Sequence, residues 1–275
     1  MNLSMLAKPN SALVILGHGS TVNPDSSAPT FAHAAEIRRR GLFREVACAF
    51  WKEKPGLHEV LQMIASDDIY IVPNFISEGY FTQKVIPREM DLSGRITLRD
   101  GLTIKYCEPA GNHPRMTGLL LLRAEDAAPG IDRRQASLVI VGHGTRRHDN
   151  SATAVKDQVA KIAALKIYAE VVGAFMEQEP QVKNWRTLTT KQKVVFVPFF
   201  VSDGLHSYED IPVLIGIERE PSGAASLRDI FRQNPHHLDG RQIYYSCAIG
   251  TAPEFADVIL EQVEAFDQSI NMQSP

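Results

Sequence analysis

Three residues in the second half of this 275-residue chain carry side chains suited to metal chemistry: His143, Glu177 and His206. Two neutral imidazoles and a carboxylate make a mixed nitrogen–oxygen set that suits divalent iron, cobalt, nickel or zinc. An imidazole also titrates near neutrality, so the same pair can hold an ion or accept protons. The three do not form a local ligand motif, because 34 and then 29 positions separate them. What they share is a place just beyond an apolar run. His143 follows "LVIV", Glu177 comes just after "VVGAF", and His206 lies in "SDGLHSYEDIP" past "VVFVPFFV". Taken singly, each has an ordinary alternative: a tight Gly-His-Gly turn, a solvated loop carboxylate beside Glu179, a cap for the following helix.

The elements that must position these residues occur twice. A shift of 125 residues aligns Ala12–Pro87 with Ser137–Pro212 without a gap, and 21 of the 76 pairs are identical. "GHG" falls on "GHG", "EVACAF" on "EVVGAF", Pro55 on Pro180, and "VPNFISEG" on "VPFFVSDG". A repeat of this length is a duplicated domain and not a solenoid unit. Residues 1–125 and 126–275 are therefore expected as two domains, joined at the polar stretch "RAEDAAPGIDRRQ" (123–135). Within each copy, "ALVIL", "EVACAF", "IYIVPNF" and "TIKYC", then "SLVIV", "YAEVVGAF", "KVVFVPFFV" and "QIYYSC", read as four strands covered on both faces. Segments such as "SATAVKDQVAKIAAL" and "PEFADVILEQVEAF" show helical spacing of apolar residues. Alternating strand and helix predicts an α/β sandwich with a four-stranded parallel sheet in each half. In such a sheet the ligand site lies beyond the carboxyl ends of the strands, where the three residues fall.

The duplication supplies an internal control. Only His143 finds its like, at His18; Glu177 aligns with Lys52 and His206 with Phe81. An ammonium is a poor ligand and a phenyl ring is none, so chemistry is expected in the second copy alone.

Composition narrows the function classes. A net charge of −3 offers no basic footprint for nucleic acid. The apolar runs are strand-sized, and "MNLSMLAKPNSALVIL" has no signal-peptide pattern, so a cytoplasmic protein without membrane association is expected. Cys48, Cys107 and Cys247 are odd in number and widely spaced, as expected of reduced core thiols.

Strand-GHG[ST], "AFMEQEP", "VPFFVSDGLHSYEDIP" and "GTAP" before a last helix together resemble the class II tetrapyrrole chelatases, above all the sirohydrochlorin cobaltochelatases and ferrochelatases. The resemblance spans both copies and is degraded in the first. It implies two tandem chelatase-like three-layer α/β sandwiches, and insertion of Co2+ or Fe2+ into sirohydrochlorin or a related ring without nucleotide, in a cleft between the repeats. It also implies no organic cofactor, with the divalent metal as substrate and the tetrapyrrole as the other partner. The family's histidines map by match onto His143 and His206, and its acidic residue onto Glu177, as metal-binding and proton-handling groups.

For the acid groups of the ring, Arg146, Arg147, Thr145 and Thr251 are candidate donors, with His18 as a further lining residue. The stretch 217–242 has no equal in the first copy and reads as a surface insertion; His236 and His237 within it are not expected as ligands. Other readings remain open: nickel or protoporphyrin as substrate, or a non-catalytic tetrapyrrole or metal carrier. A hydrolase using Ser20 is disfavoured, because the second copy has Thr145 there and G-x-S-x-G is absent. A fused pair can work as a monomer or a homodimer.

Overall fold

"ALVIL" is apolar at every position because it forms the middle of a sheet, flanked on both edges and covered on both faces. The computed structural model describes residues 7–144, 150–220 and 229–272. Its strands are β1 (Lys8–Gly17), β2 (Phe43–Phe50), β3 (Asp68–Pro73), β4 (Ile96–Arg99), β5 (Leu102–Tyr106), β6 (Ala136–Gly142), β7 (Glu170–Phe175), β8 (Lys193–Pro198), β9 (His236–Leu238) and β10 (Arg241–Tyr245). The longer helices are α1 (Ala28–Arg40), α2 (Met116–Ala127), α3 (Asn150–Ala164) and α4 (Phe255–Asn271).

The two sheets have the same order, β2-β1-β3-β5-β4 and β7-β6-β8-β10-β9. In each, four strands run parallel, and Ala12–Leu16 and Leu138–Val141 at the centre are wholly buried. This is the expected α/β architecture, with one correction: each sheet has five strands, not four. The fifth, β4 or β9, pairs antiparallel at the edge. Both are short, and β4 exposes alternate residues while β9 buries none fully, so neither carries the continuous apolar run that marks an interior strand. Strand β9 comes from within the 217–242 stretch, of which 221–228 lie outside the described residues. His236 there donates its Nε2–H to the Ile230 carbonyl over 3.0 Å.

The chain forms two compact units, Met1–His113 with Pro253–Pro275, and Pro114–Ala252. These units are not coextensive with the sequence repeats of 1–125 and 126–275, because the last helix of each repeat belongs to the other unit. In the first unit α4 buries Phe255, Ile259, Val263 and Phe266. Ion pairs Lys8–Asp267 and Arg40–Asp257 hold it there, and the Tyr70 hydroxyl donates to Asp267 over 2.8 Å. In the second unit α2 buries Met116, Leu119, Leu120 and Ala124, and the Thr117 hydroxyl donates to Gln158 of α3 over 2.7 Å. An amphipathic helix is specified by its apolar stripe, and the stripe does not say which sheet will receive it.

The second unit's core is built around Val139, Val141, Trp185, Phe196, Ile211 and Tyr245. Trp185 donates its indole N–H to the Ile215 carbonyl over 3.0 Å, so its one polar atom is satisfied within the core.

Candidate active site

The Gly-His-Gly turn is built by two different demands on its glycines. A Cβ at Gly142 would fall 2.7 Å from Val155 of α3, so the strand end needs a bare backbone to pack. Gly144 adopts φ +71°, the left-handed region that disfavours side chains. The first copy repeats this at Gly17, against Phe50, and Gly19 (φ +67°). The residue between is thereby turned outward at the strand end. His143 Nδ1 lies 2.7 Å from the Gly144 carbonyl, which can only accept, so Nδ1 carries the proton. The Nε2 lone pair is left for an ion or a proton.

His206 opens a wide helical turn, His206–Asp210, in which the Ile211 N–H reaches back to the His206 carbonyl. Pro212 explains the widening, since it has no N–H and its ring would crowd the carbonyl of residue 208. The turn is anchored from below by Tyr245 of β10, whose buried hydroxyl donates to the Ser207 carbonyl over 2.8 Å. Burial holds that phenol far above its usual pKa, so it stays a donor. Asp203, two residues after Val201, accepts from the Ala248 N–H over 2.7 Å and ties this loop to the one after β10. Burial pushes its carboxyl up to about 6, against the lowering effect of that hydrogen bond.

His206 Nδ1 lies 2.6 Å from Asp210 Oδ2. A carboxylate there fixes the Nδ1–H tautomer and again frees Nε2, the arrangement by which proteins orient metal-binding histidines. The two imidazoles stand with ring centroids 4.9 Å apart, their planes at 76°. Glu177 is set beside them by its own backbone, its N–H donating to the His143 carbonyl over 3.1 Å, and its carboxylate lies 3.7 Å from His143 Nε2. The structure thus brings all three predicted residues together. The side chains of His143, Glu177 and His206 are 39, 57 and 48% exposed, so the set is open to solvent. Among the described residues, no group of three or more His, Cys, Asp or Glu side chains is placed so that it could hold a metal ion together.

In the first unit the same backbone carries different chemistry. His18 Nδ1 donates to the Gly19 carbonyl over 2.9 Å, and the Lys52 N–H donates to the His18 carbonyl over 2.9 Å. Phe81 takes the place of His206 and packs on His18 at 5.6 Å between centroids. Val85 takes the place of Asp210 and is buried. The wide turn survives as Phe81–Val85, anchored by the Tyr106 hydroxyl on the Thr82 carbonyl at 2.7 Å. The frame is therefore kept in the first unit, while the side chains of Glu177, His206 and Asp210 have no counterparts of their own chemistry there.

The remaining candidates divide. Thr251 donates its hydroxyl to the Ala248 carbonyl over 2.8 Å and accepts from Arg123 over 2.7 Å, so its proton is committed to the fold and not to a ligand. Thr145, Arg146 and Arg147 lie outside the described residues. All three cysteines are free thiols, and burial pushes Cys48 and Cys247 up to about 12, so both stay protonated at neutral pH. Asp210 and Asp203 are the residues that sequence reasoning passed over. Asp210 had a signal, four positions after His206 on a predicted helix start; the burial of Asp203 had none.

Comparison with known proteins bears on the family and the fold. A CbiX family profile matches residues 12–127 and again 137–265. A probable sirohydrochlorin cobaltochelatase of Halobacterium salinarum is 41% identical over 269 residues, 91% of this chain and 90% of that protein. Among solved structures, a multi-domain Deinococcus radiodurans protein with structural similarity to chelatases superposes with a TM-score of 0.76 at 26% identity, over 93% of this chain and 54% of that one. SirB from Bacillus subtilis, solved with Fe3+, shares the fold, with a TM-score of 0.70 at 19% identity over 96% of this chain and 98% of its own. The chain belongs to the CbiX family of chelatases, in a two-repeat form.

Proposed function

We propose that this protein inserts a divalent metal, Co2+ or Fe2+, into sirohydrochlorin without nucleotide, and that His143, His206 and Glu177 carry the reaction in the second unit. The observation that carries this reading is the contrast between the paired imidazoles of His143 and His206 and the His18–Phe81 pair that replaces them in the first unit. A cobaltochelatase relative over nine-tenths of the chain supports cobalt, and a fold neighbour solved with iron keeps iron in view.

Insertion exchanges the two protons on the ring nitrogens for one divalent ion. Both imidazoles present Nε2 as a lone pair, because their Nδ1 protons are engaged by the Gly144 carbonyl and the Asp210 carboxylate. His206 can hold the incoming ion while His143 takes the two pyrrole protons in turn, and Glu177 beside His143 can pass each of them to solvent. An open set of few ligands suits a site that must release its metal to the ring, whereas a closed cage would retain it. The reading includes a cytoplasmic site of action, with which three free, widely spaced thiols are compatible. Among the described residues no helix is long and apolar enough to cross a membrane.

The test is an absorbance assay of sirohydrochlorin with Co2+ and, separately, Fe2+, comparing wild type with His143→Ala and His206→Ala. Loss of a proton-accepting side chain is expected to slow insertion by roughly 10²- to 10⁴-fold. Wild-type rates in both variants would remove His143 and His206 from the reaction, and a wild-type rate no faster than the protein-free background would leave a carrier and not a chelatase.

A further inference from the structure

In each unit the loops beyond the third and fourth parallel strands meet backbone to backbone. In the second, the Gly250 N–H donates to the Phe200 carbonyl over 2.9 Å, and a Cβ on Gly250 would fall 2.3 Å from Val201. In the first, the Gly111 N–H donates to the Phe75 carbonyl over 2.9 Å, and a Cβ on Gly111 would fall 1.9 Å from Ile76. Onto this shared contact the second unit adds a clamp. Asp203, only 6% exposed, accepts the Ala248 N–H over 2.7 Å. Three more side chains bear on its carboxylate: Arg123 of α2, Cys247 of the loop after β10, and Ser207 of the His206 turn. The buried Ser207 hydroxyl closes no hydrogen bond among the described residues, so this carboxylate is the charge it faces.

The first unit has neither half of the clamp. Glu78 aligns with Asp203 but is partly exposed, and its carboxylate accepts from the Gln83 side chain over 2.7 Å. Pro109 stands where Ala248 does, as the cap of the same short helical turn, and proline has no N–H to donate. Closing the two loops therefore does not require the acid. Burying a carboxylate is costly, and the second unit bears that cost beside its paired imidazoles.

We infer that Asp203 is a positioning residue for metal capture: its carboxylate fixes the loop that leads into the His206 turn, and through it the place of the His206 imidazole beside His143. The inference rests on the proposed function for the role of His206. The link is the next residue, Gly204, whose carbonyl accepts the Ser207 N–H over 2.9 Å and the Tyr208 N–H over 3.2 Å. Holding Asp203 to Ala248 thus holds the first turn of the segment that carries His206. Asp210 decides which nitrogen that ring presents; Asp203 decides where the ring stands.

Insertion kinetics near neutral pH, with Co2+ varied at saturating sirohydrochlorin, test this together with ring-proton NMR of the full-length protein. Asp203→Ala removes the acceptor. Asp203→Asn still accepts from Ala248 but turns an amide NH2 toward the other side chains. The metal KM is expected to rise roughly tenfold in Ala and about threefold in Asn, with kcat within about twofold of wild type, because saturating metal hides a weakened capture step. Asp203→Asn also removes a buried charge and is expected to be no less stable than wild type, so a purely structural role predicts no change in its KM. In wild type the ring protons of His143 and His206 should show a cross-relaxation peak, as centroids 4.9 Å apart allow. That peak should weaken in Ala, while the nitrogen-15 shifts of His206 keep the Nδ1–H pattern set by Asp210. A wild-type metal KM in every folded variant would overturn the inference, and so would an unchanged peak in Ala; if Ala does not fold, the KM of Asn decides alone. A wild type that inserts no metal would overturn the proposed function instead, and the peak would still decide the role of Asp203.

Discussion

Asp210 offers the sharpest test of how the site is organised. Its carboxylate lies 2.6 Å from His206 Nδ1, and nothing else in the described site fixes that ring's tautomer. A free neutral imidazole prefers its proton on Nε2, the atom that faces metal or pyrrole in the proposed reaction. Removing the carboxylate in Asp210→Ala is therefore expected to present the wrong nitrogen for part of the time. Loss of an orienting partner of a metal-binding histidine typically costs about 10- to 100-fold in metal affinity or activity. Here His206 and Asp210 are 48 and 45% exposed, so water competes for the same bond and the lower end, about tenfold or ~1.4 kcal/mol, is expected. The same exposure limits the effect on folding to about 1 kcal/mol or less. Initial rates against Co2+ concentration at saturating ring should show the metal KM raised about tenfold in Asp210→Ala. Asp210→Asn should lie much closer to wild type, because its amide oxygen still accepts from Nδ1–H. Nitrogen-15 chemical shifts of the His206 ring should report Nδ1–H in wild type and Asn, and a shift toward Nε2–H in Ala. Superimposable metal curves for wild type and Asp210→Ala would refute the reasoning, as would an Asn variant as impaired as Ala.

Two further outcomes follow from groups buried in the fold. With its carboxyl pushed up to about 6, Asp203 holds its proton more tightly folded than unfolded, so the stability it contributes is full below about pH 4 and lost as pH rises through 6; urea unfolding from pH 4 to 8 should show Asp203→Asn gaining up to about 3 kcal/mol on wild type, all of it between those limits. Truncation after Ala252 removes α4, and hydrogen exchange should then show loss of protection in β1, β3 and α1 of the first unit while β6 and β8 of the second stay protected.

Much of the frame was legible in the sequence, for an identifiable reason. An interior parallel strand must be apolar on both faces, so β1, β3, β6 and β8 announce themselves as continuous runs. The edge strands β4 and β9 carry no such demand and left no signal. The site divides in the same way. His143 and His206 could be read from glycine and proline punctuation around them, because the turn that exposes a side chain has local requirements. The commitment of Thr251 to Arg123 and Ala248 could not be read, since it depends on α2 packing into the second unit. A hydroxyl in a loop looks the same in sequence whether it is free or spent.

That exchange of helices bears on why a half without counterparts of Glu177 and His206 keeps its scaffold. If each repeat closed its own core, the first could erode without consequence for the second. Instead the first repeat supplies α2, whose Leu119, Leu120 and Ala124 are buried in the second unit and whose neighbour Arg123 holds Thr251 in the loop beside Ala248. Asp203, bonded to that same Ala248, belongs to the loop that leads into His206. The chain of contacts runs from the first repeat's last helix to the turn that carries the second repeat's histidine. A mutation that displaces α2 is therefore expected to disable the second unit's candidate site even though α2 carries none of its three residues, which keeps that part of the first repeat under selection through the packing of one helix.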